Sequence, residues 1–328
     1  MANLPNSAGA VALPHGESTP ALYKLSTKQR DLLDASVAIE REDAREVGAV
    51  GYAARLWAQL SLPYSNPGDV PDWERRNGSL TLTINPAIIR DIEGKRRGYP
   101  YGVLPRYILT WMSSEAVRTQ SPVLDLGDSL RDFMTKLGLP STGGKNGSIT
   151  RLTDQMRRLL GSTMLVEDLR DSEANRWSIA GEHFTVASSY KLWFAKSDPT
   201  GQTALWGSTI NLGDKFFQSI VGAPVPVDTR ALKALGGSSM RIDLYCWAAH
   251  RMFTLRRPQL VPWALLAGQF GSDYKQPHHF RTAVMKQLGA VLAVYPTADI
   301  VPTKDGLLLS PSPTPVPRRD APRAIRSS

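Results

Sequence analysis

The chain of 328 residues has one cysteine, Cys246, and five scattered histidines, His15, His183, His250, His278 and His279. A single thiol excludes an intrachain disulfide and a thiolate zinc cluster, and the histidine spacing leaves a metal site short of ligands. No metal or cofactor is therefore expected. No apolar run approaches the ~18 residues that a membrane span needs, and the N-terminus has no charged-then-apolar leader. A cytoplasmic protein with no membrane partner is the expectation. Acidic residues are in deficit, 30 Asp and Glu against 39 Lys and Arg, and the net charge is +9. A basic surface attracts polyanions through counterion release. What is present is enough for a globular fold, with 42% hydrophobic residues and length for about two domains at ~150 residues each.

The usual constellations of catalysis are missing too. The glycines before GKNGSITRLTDQMRRLL, Gly144 to Leu160, suggest a phosphate loop, but the spelling fails. Counting from Gly138, Gly143 is in register, yet Gly144 stands where Lys is required and Lys145 is followed by Asn146. A DNA-nicking site needs a His-apolar-His pair, and His278 and His279 are adjacent. Cys246 and His250 are four apart on a helical pattern among Ile242, Tyr245, Trp247 and Met252, which reads as core rather than as a nucleophile pair. Trp57, Trp111, Trp193, Trp247 and Trp263 lie in apolar patterns and are expected to pack inside, with Trp73 less buried. The chain is not expected to be an enzyme.

Residues 1–25 are small, polar and Pro-containing and are expected to be disordered. From Ser26 to Leu60 the pattern is helical, capped by Ser26 or Thr27 and stopped by LPYSNPGDVP. SLTLTI, Ser79 to Ile84, alternates as a strand. There follow a helix over Leu104–Arg118, a short strand at VLDLG, a helix over Asp128–Leu137, a third helix after Gly147, and a hairpin formed by STMLVED and Trp177–Val186. Helix, strand, helix, helix, hairpin is the order of a winged helix. It recurs after STINL and VGAPVPVD, in SSMRIDLYCWAAHRMF, VPWALLAGQF, QPHHFRTAVMKQLGAV and a final hairpin turning at Lys304, Asp305 and Gly306. The expected class is α+β, two tandem winged-helix domains. The boundaries are an N-terminal helix and strand segment at 26–95, a first winged helix at 96–195, a linker at 196–207, a second winged helix at 208–310 and a disordered Pro- and Arg-rich tail at 311–328.

The third helices carry the functional argument. In the first, Ile149, Leu152, Met156, Leu159 and Leu160 share one arc and face a core. The opposite arc centres on Arg151, Asp154 and Arg158, flanked by Thr150, Gln155 and Arg157, with Ser148 as N-cap. The bland alternative is a solvated face on which Asp154 pairs with Arg151 and Arg158. In the second, Phe280, Ala283, Val284, Leu288 and Val291 face inward, while His278, Thr282, Met285 and Lys286 look out with Arg281 on the flank and His279 alongside. Two such helices in a basic chain favour double-stranded DNA as the partner. Gly143 to Gly147, with Lys145, form a flexible leading loop, and the unpaired N–H groups of the helix start offer a phosphate site. Arg318, Arg319, Arg323 and Arg326 give the tail non-specific phosphate affinity.

The ordered blocks ARLWAQLSLP, RRNGSLTLTI, YPYGVLPRYILTWMSSEAVRTQSP, GDSLRDFMTKLGLPSTGGKNGSITRLTDQMRRLL, ALWGSTINLGDKFFQSI, PVPVDTRALKAL, IDLYCWAAHRM, VPWALLAGQFGSDY and VYPTADI with GLLLSPSP resemble the plasmid-encoded RepA family of replication initiators. The resemblance runs from Ala53 to Pro313. It implies two winged helices gripping repeated origin sites (iterons), melting of A·T-rich DNA, and recruitment of host initiator and replicative helicase. It also implies self-association as a homodimer through the first winged helix and the segment before it. The implied DNA readers fall on Arg151, Gln155 and Arg158, and on His278, Arg281, Thr282 and Lys286. A winged-helix transcriptional repressor binding an inverted repeat is the alternative from these residues.

Overall fold

The computed structural model describes residues 26–317, except 92, 93, 128, 145, 172–176, 193–206, 272, 273 and 275. Residues 1–25, nearly all of the 196–207 linker, and 318–328 with the tail arginines lie outside the described residues.

Helix α1 (Thr27–Arg41) begins where expected, with a capping box in which Ser26 and Gln29 satisfy each other's backbone N–H. It does not continue to Leu60. The chain turns at Gly48, φ +66°, and Val50–Ala54 form strand β1, paired antiparallel with Pro224–Asp228 far along the chain. Only then does the short α2 (Arg55–Gln59) follow. A hairpin of β2 (Trp73–Asn77) and β3 (Leu80–Asn85) turns at Gly78, φ +62°, where a side chain would be strained. Strands β4 (Ala87–Asp91) and β5 (Gly94–Gly98) form a second hairpin.

Next come α3 (Val103–Thr119), β6 (Val123–Asp125), α4 (Leu130–Lys136), α5 (Ser148–Gly161), β7 (Thr163–Asp171) and β8 (Trp177–Thr185). Strands β9 (Ala187–Lys191) and β10 (Thr209–Leu212), helix α6 (Asp214–Gly222), β11 (Pro224–Asp228) and α7 (Thr229–Ala234) lead to α8 (Ser239–Thr254). The chain ends in β12 (Gln259–Pro262), α9 (Trp263–Phe270), α10 (Pro277–Val294), β13 (Ile300–Pro302) and β14 (Gly306–Leu309). The fold is α+β, with small antiparallel sheets among the described residues.

The order helix, strand, helix, helix, hairpin occurs twice, as α3-β6-α4-α5-β7-β8 and α8-β12-α9-α10-β13-β14. The sheets close differently. In the second run β14 lies between β12 and β13. In the first, β6 pairs with β10, and the β7–β8 hairpin joins β3, with Ile84 opposite Met164, to make the order β2-β3-β7-β8.

Two hydrophobic cores follow the two runs. Leu152, Met156 and Leu159 of α5, each fully buried, pack with Trp111, Met112 and Phe133, and the Trp111 and Phe133 rings meet edge to face at 4.7 Å. Phe280, Val284, Leu288 and Val291 of α10 pack with Tyr245, Trp247 and Phe270. Trp57, Trp73 and Trp263 are half-buried, and Trp193 lies outside the described residues. Between the cores, buried Arg106 of α3 grips buried Asp243 of α8 through two 2.7 Å bonds and donates to the carbonyls of Leu62 (2.9 Å) and Gly102 (2.6 Å). Full hydrogen bonding of this kind is what makes a buried ion pair tolerable.

Residues 311–317, read from sequence as the start of a disordered tail, are packed instead. Val316 is 1% exposed against Ala44 and Ala49, the Pro313 carbonyl accepts from Tyr295 at 2.7 Å, and that of Pro317 accepts from Arg45 at 2.9 Å. Proline removes donors but leaves carbonyls free to accept, so a Pro-rich stretch can still be tied down.

Candidate nucleic-acid interface

Helix α5 presents its apolar arc to the core as the wheel requires, but its start and one flank differ from the expectation. Gly147, not Ser148, is the N-cap. A Cβ there would sit 2.4 Å from the carbonyl oxygens of Thr142 and Gly143, which accounts for the glycine. Ser148 is the first helical residue; its hydroxyl donates to the Pro140 carbonyl (2.6 Å) and accepts from the Thr142 N–H (2.8 Å). The N–H groups of Ser148 and Ile149 donate to Thr142, so they are not vacant for a phosphate. Thr150, exposed, donates to the Gly144 carbonyl at 2.9 Å. These bonds tie down the loop read as flexible; Lys145 lies outside the described residues.

Two of the expected DNA readers are not on the surface. Gln155 and Arg158 are each 5% exposed. Gln155 Oε1 accepts from the Tyr101 N–H at 2.9 Å. Arg158 donates to Asp154 (2.6 Å) and to the Tyr99 carbonyl (3.4 Å), with its guanidinium 5.3 Å from the Tyr101 ring centroid. The cause is the segment between β5 and α3, which lies over this flank of the helix. Its backbone polar groups would otherwise be buried unsatisfied, and Gln155 and Arg158 satisfy them. Asp154 also meets Arg96 of β5 at 3.2 Å, so the pairing that the bland reading assigned to Asp154 is present with Arg158 and Arg96. Arg157 is half-buried and donates to the Arg90 carbonyl at 2.8 Å. Arg151 remains exposed.

Helix α10 matches its wheel. Phe280, Val284, Leu288 and Val291 are buried and Ala283 is half-buried, while His278, His279, Arg281, Thr282, Met285 and Lys286 are exposed. Pro277 occupies the first turn, where a missing N–H costs nothing. The rings of His278 and His279 lie 4.1 Å apart, and Thr282 donates to the His278 carbonyl at 3.0 Å. Arg281 stacks 5.3 Å from the Trp263 centroid and donates to the Thr303 carbonyl at 3.3 Å, which ties the helix to the β13–β14 turn. The structure thus leaves an exposed polar face on each third helix: Thr150 and Arg151 on α5, and a longer one on α10. Such faces offer donors and positive charge, the chemistry of phosphate and base-edge contact.

The thiol and imidazole in α8 are poorly suited to attack. Burial pushes the Cys246 thiol up to about 12, and burial with nearby Arg55 and Arg251 lowers the His250 imidazole to about 4. Both are neutral at pH 7. Among the described residues there is no group of three His, Cys, Asp or Glu side chains that could hold a metal, and no helix long and apolar enough to cross a membrane.

The family model described as plasmid-encoded RepA protein matches residues 99–264, just over half of the chain. The class so defined is that of plasmid replication initiators. The chain belongs to the plasmid-encoded RepA family, in agreement with the motif blocks. No curated protein matches it. Among solved structures it is similar to the selenomethionine form of domains 2 and 3 of RctB, at 11% identity and a TM-score of 0.48 over 78% of this chain and 98% of that one. A second structure of RctB domains 2–3 gives 11% identity and a TM-score of 0.42 over 78% of this chain and 94% of that one.

Proposed function

We propose that this chain starts plasmid replication by binding iterons in duplex DNA through two winged-helix units, with α5 and α10 as the recognition helices. The observation that carries the reading is the twofold recurrence of helix, strand, helix, helix, hairpin, each time with an exposed polar side on the third helix. In a winged helix that element enters the major groove. The contact set is Thr150 and Arg151 on α5 and His278, His279, Thr282 and Lys286 on α10, with Arg281 and Arg157 as supports that already hold neighbouring carbonyls. Gln155 and Arg158 act from beneath, by fixing where α5 stands. The proposed role is non-catalytic, and the buried Cys246, a protonated thiol, is given a packing role in it. Origin opening, recruitment of host initiator and helicase, and dimerisation complete the proposal on the strength of the family.

Footprinting of the purified chain on DNA flanking its own gene is the test. Several protected direct repeats beside an A·T-rich tract are expected. Protection of one inverted repeat over a promoter would replace initiation with repression, and no protection would remove the DNA reading altogether.

A further inference from the structure

The β4–β5 hairpin carries a charge pattern that its own stability does not explain. Side chains of an antiparallel pair alternate between two faces. One face is used against α5: Ala87 and Ile89 are each 2% exposed, Gly161 of α5 comes so close that an added Cβ would lie 2.9 Å from the Ala87 Cβ, and Arg96 reaches Asp154. The other face carries Ile88, Arg90, Lys95 and Arg97, all exposed. The register sets Arg90 opposite Lys95 and Ile88 opposite Arg97. Like charges directly opposite each other destabilise a sheet pair, so this arrangement works against the isolated hairpin. Arg97 meets Asp69 at 2.8 Å, an exposed partner that relieves one of the three cations.

The hairpin is also held in a particular place. It touches α5 through Asp154, Arg157 and Gly161, three and four residues apart along one side of the helix, and exposed Arg151 lies one turn before Asp154. A duplex lying along Arg151 therefore passes beside a strip of three cations. We infer that the outer face of β4–β5, through Arg90, Lys95 and Arg97, is a second contact with duplex DNA, gripping the phosphate backbone beside α5 without reading sequence. The inference rests on α5 being a DNA-facing helix. Phosphates supply an opposite charge that no described residue gives the Arg90 and Lys95 pairing, and three closely set cations suit a polyanion.

The experiment uses the full chain, with Arg90→Gln, Lys95→Gln and Arg97→Gln combined, on a duplex from the flanking DNA and an unrelated duplex of equal length across a salt series. Both affinities should fall by the same factor, and the slope of log K against log salt should become shallower by about 2 to 3, at ~0.9 for each phosphate no longer neutralised. The pair Arg90→Lys with Arg97→Lys, which keeps the charge, should retain the wild-type slope. The thermal midpoint of the triple variant should not fall below wild type, since the Arg90 and Lys95 repulsion is removed, and that of the charge-keeping pair should match wild type. An unchanged slope in the triple variant, with Arg151→Ala still weakening the flanking duplex, overturns the hairpin contact and leaves the α5 reading intact. A weakening confined to one sequence overturns it also, because backbone contacts cannot discriminate. No binding of either duplex by the wild-type chain would remove the α5 reading and the hairpin contact together.

Discussion

The two runs of elements share an order but not a surface. Around α10 the sheet closes on itself, β12-β14-β13, and among the described residues His278, Thr282, Met285 and Lys286 on the outer side of the helix stay exposed. Around α5 the sheet is shared with β2 and β3, and the chain between β5 and α3 crosses one flank of the helix. The same kind of amphipathic sequence therefore ends as an open polar face in one unit and as a partly covered one in the other. A helical wheel finds the side turned to the core, because that side is set by the helix's own period. It does not find what other segments lay over the remaining arc.

Removing one partner of the ion pair that joins the two units should have the largest effect on stability. Arg106→Met strands the Asp243 carboxylate in the core and should cost about 3 to 5 kcal/mol, read by urea unfolding. An unaltered midpoint would mean the units are not joined there. The wheel itself is tested by Leu159→Ala in α5 and Leu288→Ala in α10, each expected to cost about 2 to 5 kcal/mol.

The contrast within α5 is sharper. Gln155→Ala and Arg158→Ala should each cost about 1 to 3 kcal/mol of stability, since the first takes its acceptor from the half-buried Tyr101 N–H and the second strands the buried Tyr99 carbonyl. Arg151→Ala should leave stability within about 0.5 kcal/mol and weaken DNA binding by about 1 to 3 kcal/mol if it contacts a base. Lys286→Ala should resemble Arg151→Ala. If Arg158→Ala were silent in unfolding yet strong in binding, the flank would be open to DNA rather than covered.

A smaller, pH-dependent effect belongs to the second core. The folded imidazole of His250 is held at about 4 against an ordinary 6.5, so the unfolded chain takes up the proton first as pH falls. Stability should decline between about pH 6.5 and 4, and His250→Gln should flatten that decline in a series of thermal melts. Equal pH dependence in both would assign the decline to other groups.

Much of the fold is legible in the sequence, and the rest is hidden for physical causes. Helices α3, α8 and α10 and the hairpins β7–β8 and β13–β14 follow from period and turn chemistry alone. Strand β1 does not, because VGYAA sits within a helical pattern and its partner Pro224–Asp228 lies in a proline-punctuated stretch. The β2–β3 hairpin has a usable signal in Gly78-Ser79, the two residues between paired Asn77 and Leu80, which suits a two-residue turn. Nothing local marks Gln155 and Arg158 as buried, because Tyr99 and Tyr101 cover them from outside the helix.

The most direct test of two reading helices in one chain is the spacing of their sites. Recognition helices entering successive major grooves on one side of a duplex lie about 34 to 36 Å apart, near one turn of ~10 bp. Binding should be measured to the protected repeat, to the repeat with ~5 bp inserted between its two contacted blocks, and to the repeat with ~10 bp inserted. Affinity should fall sharply at the half turn, where tethering no longer brings the second helix to its block, and partly recover at the full turn. Equal affinity at all three spacings would contradict a two-helix grip and leave one unit to read DNA alone.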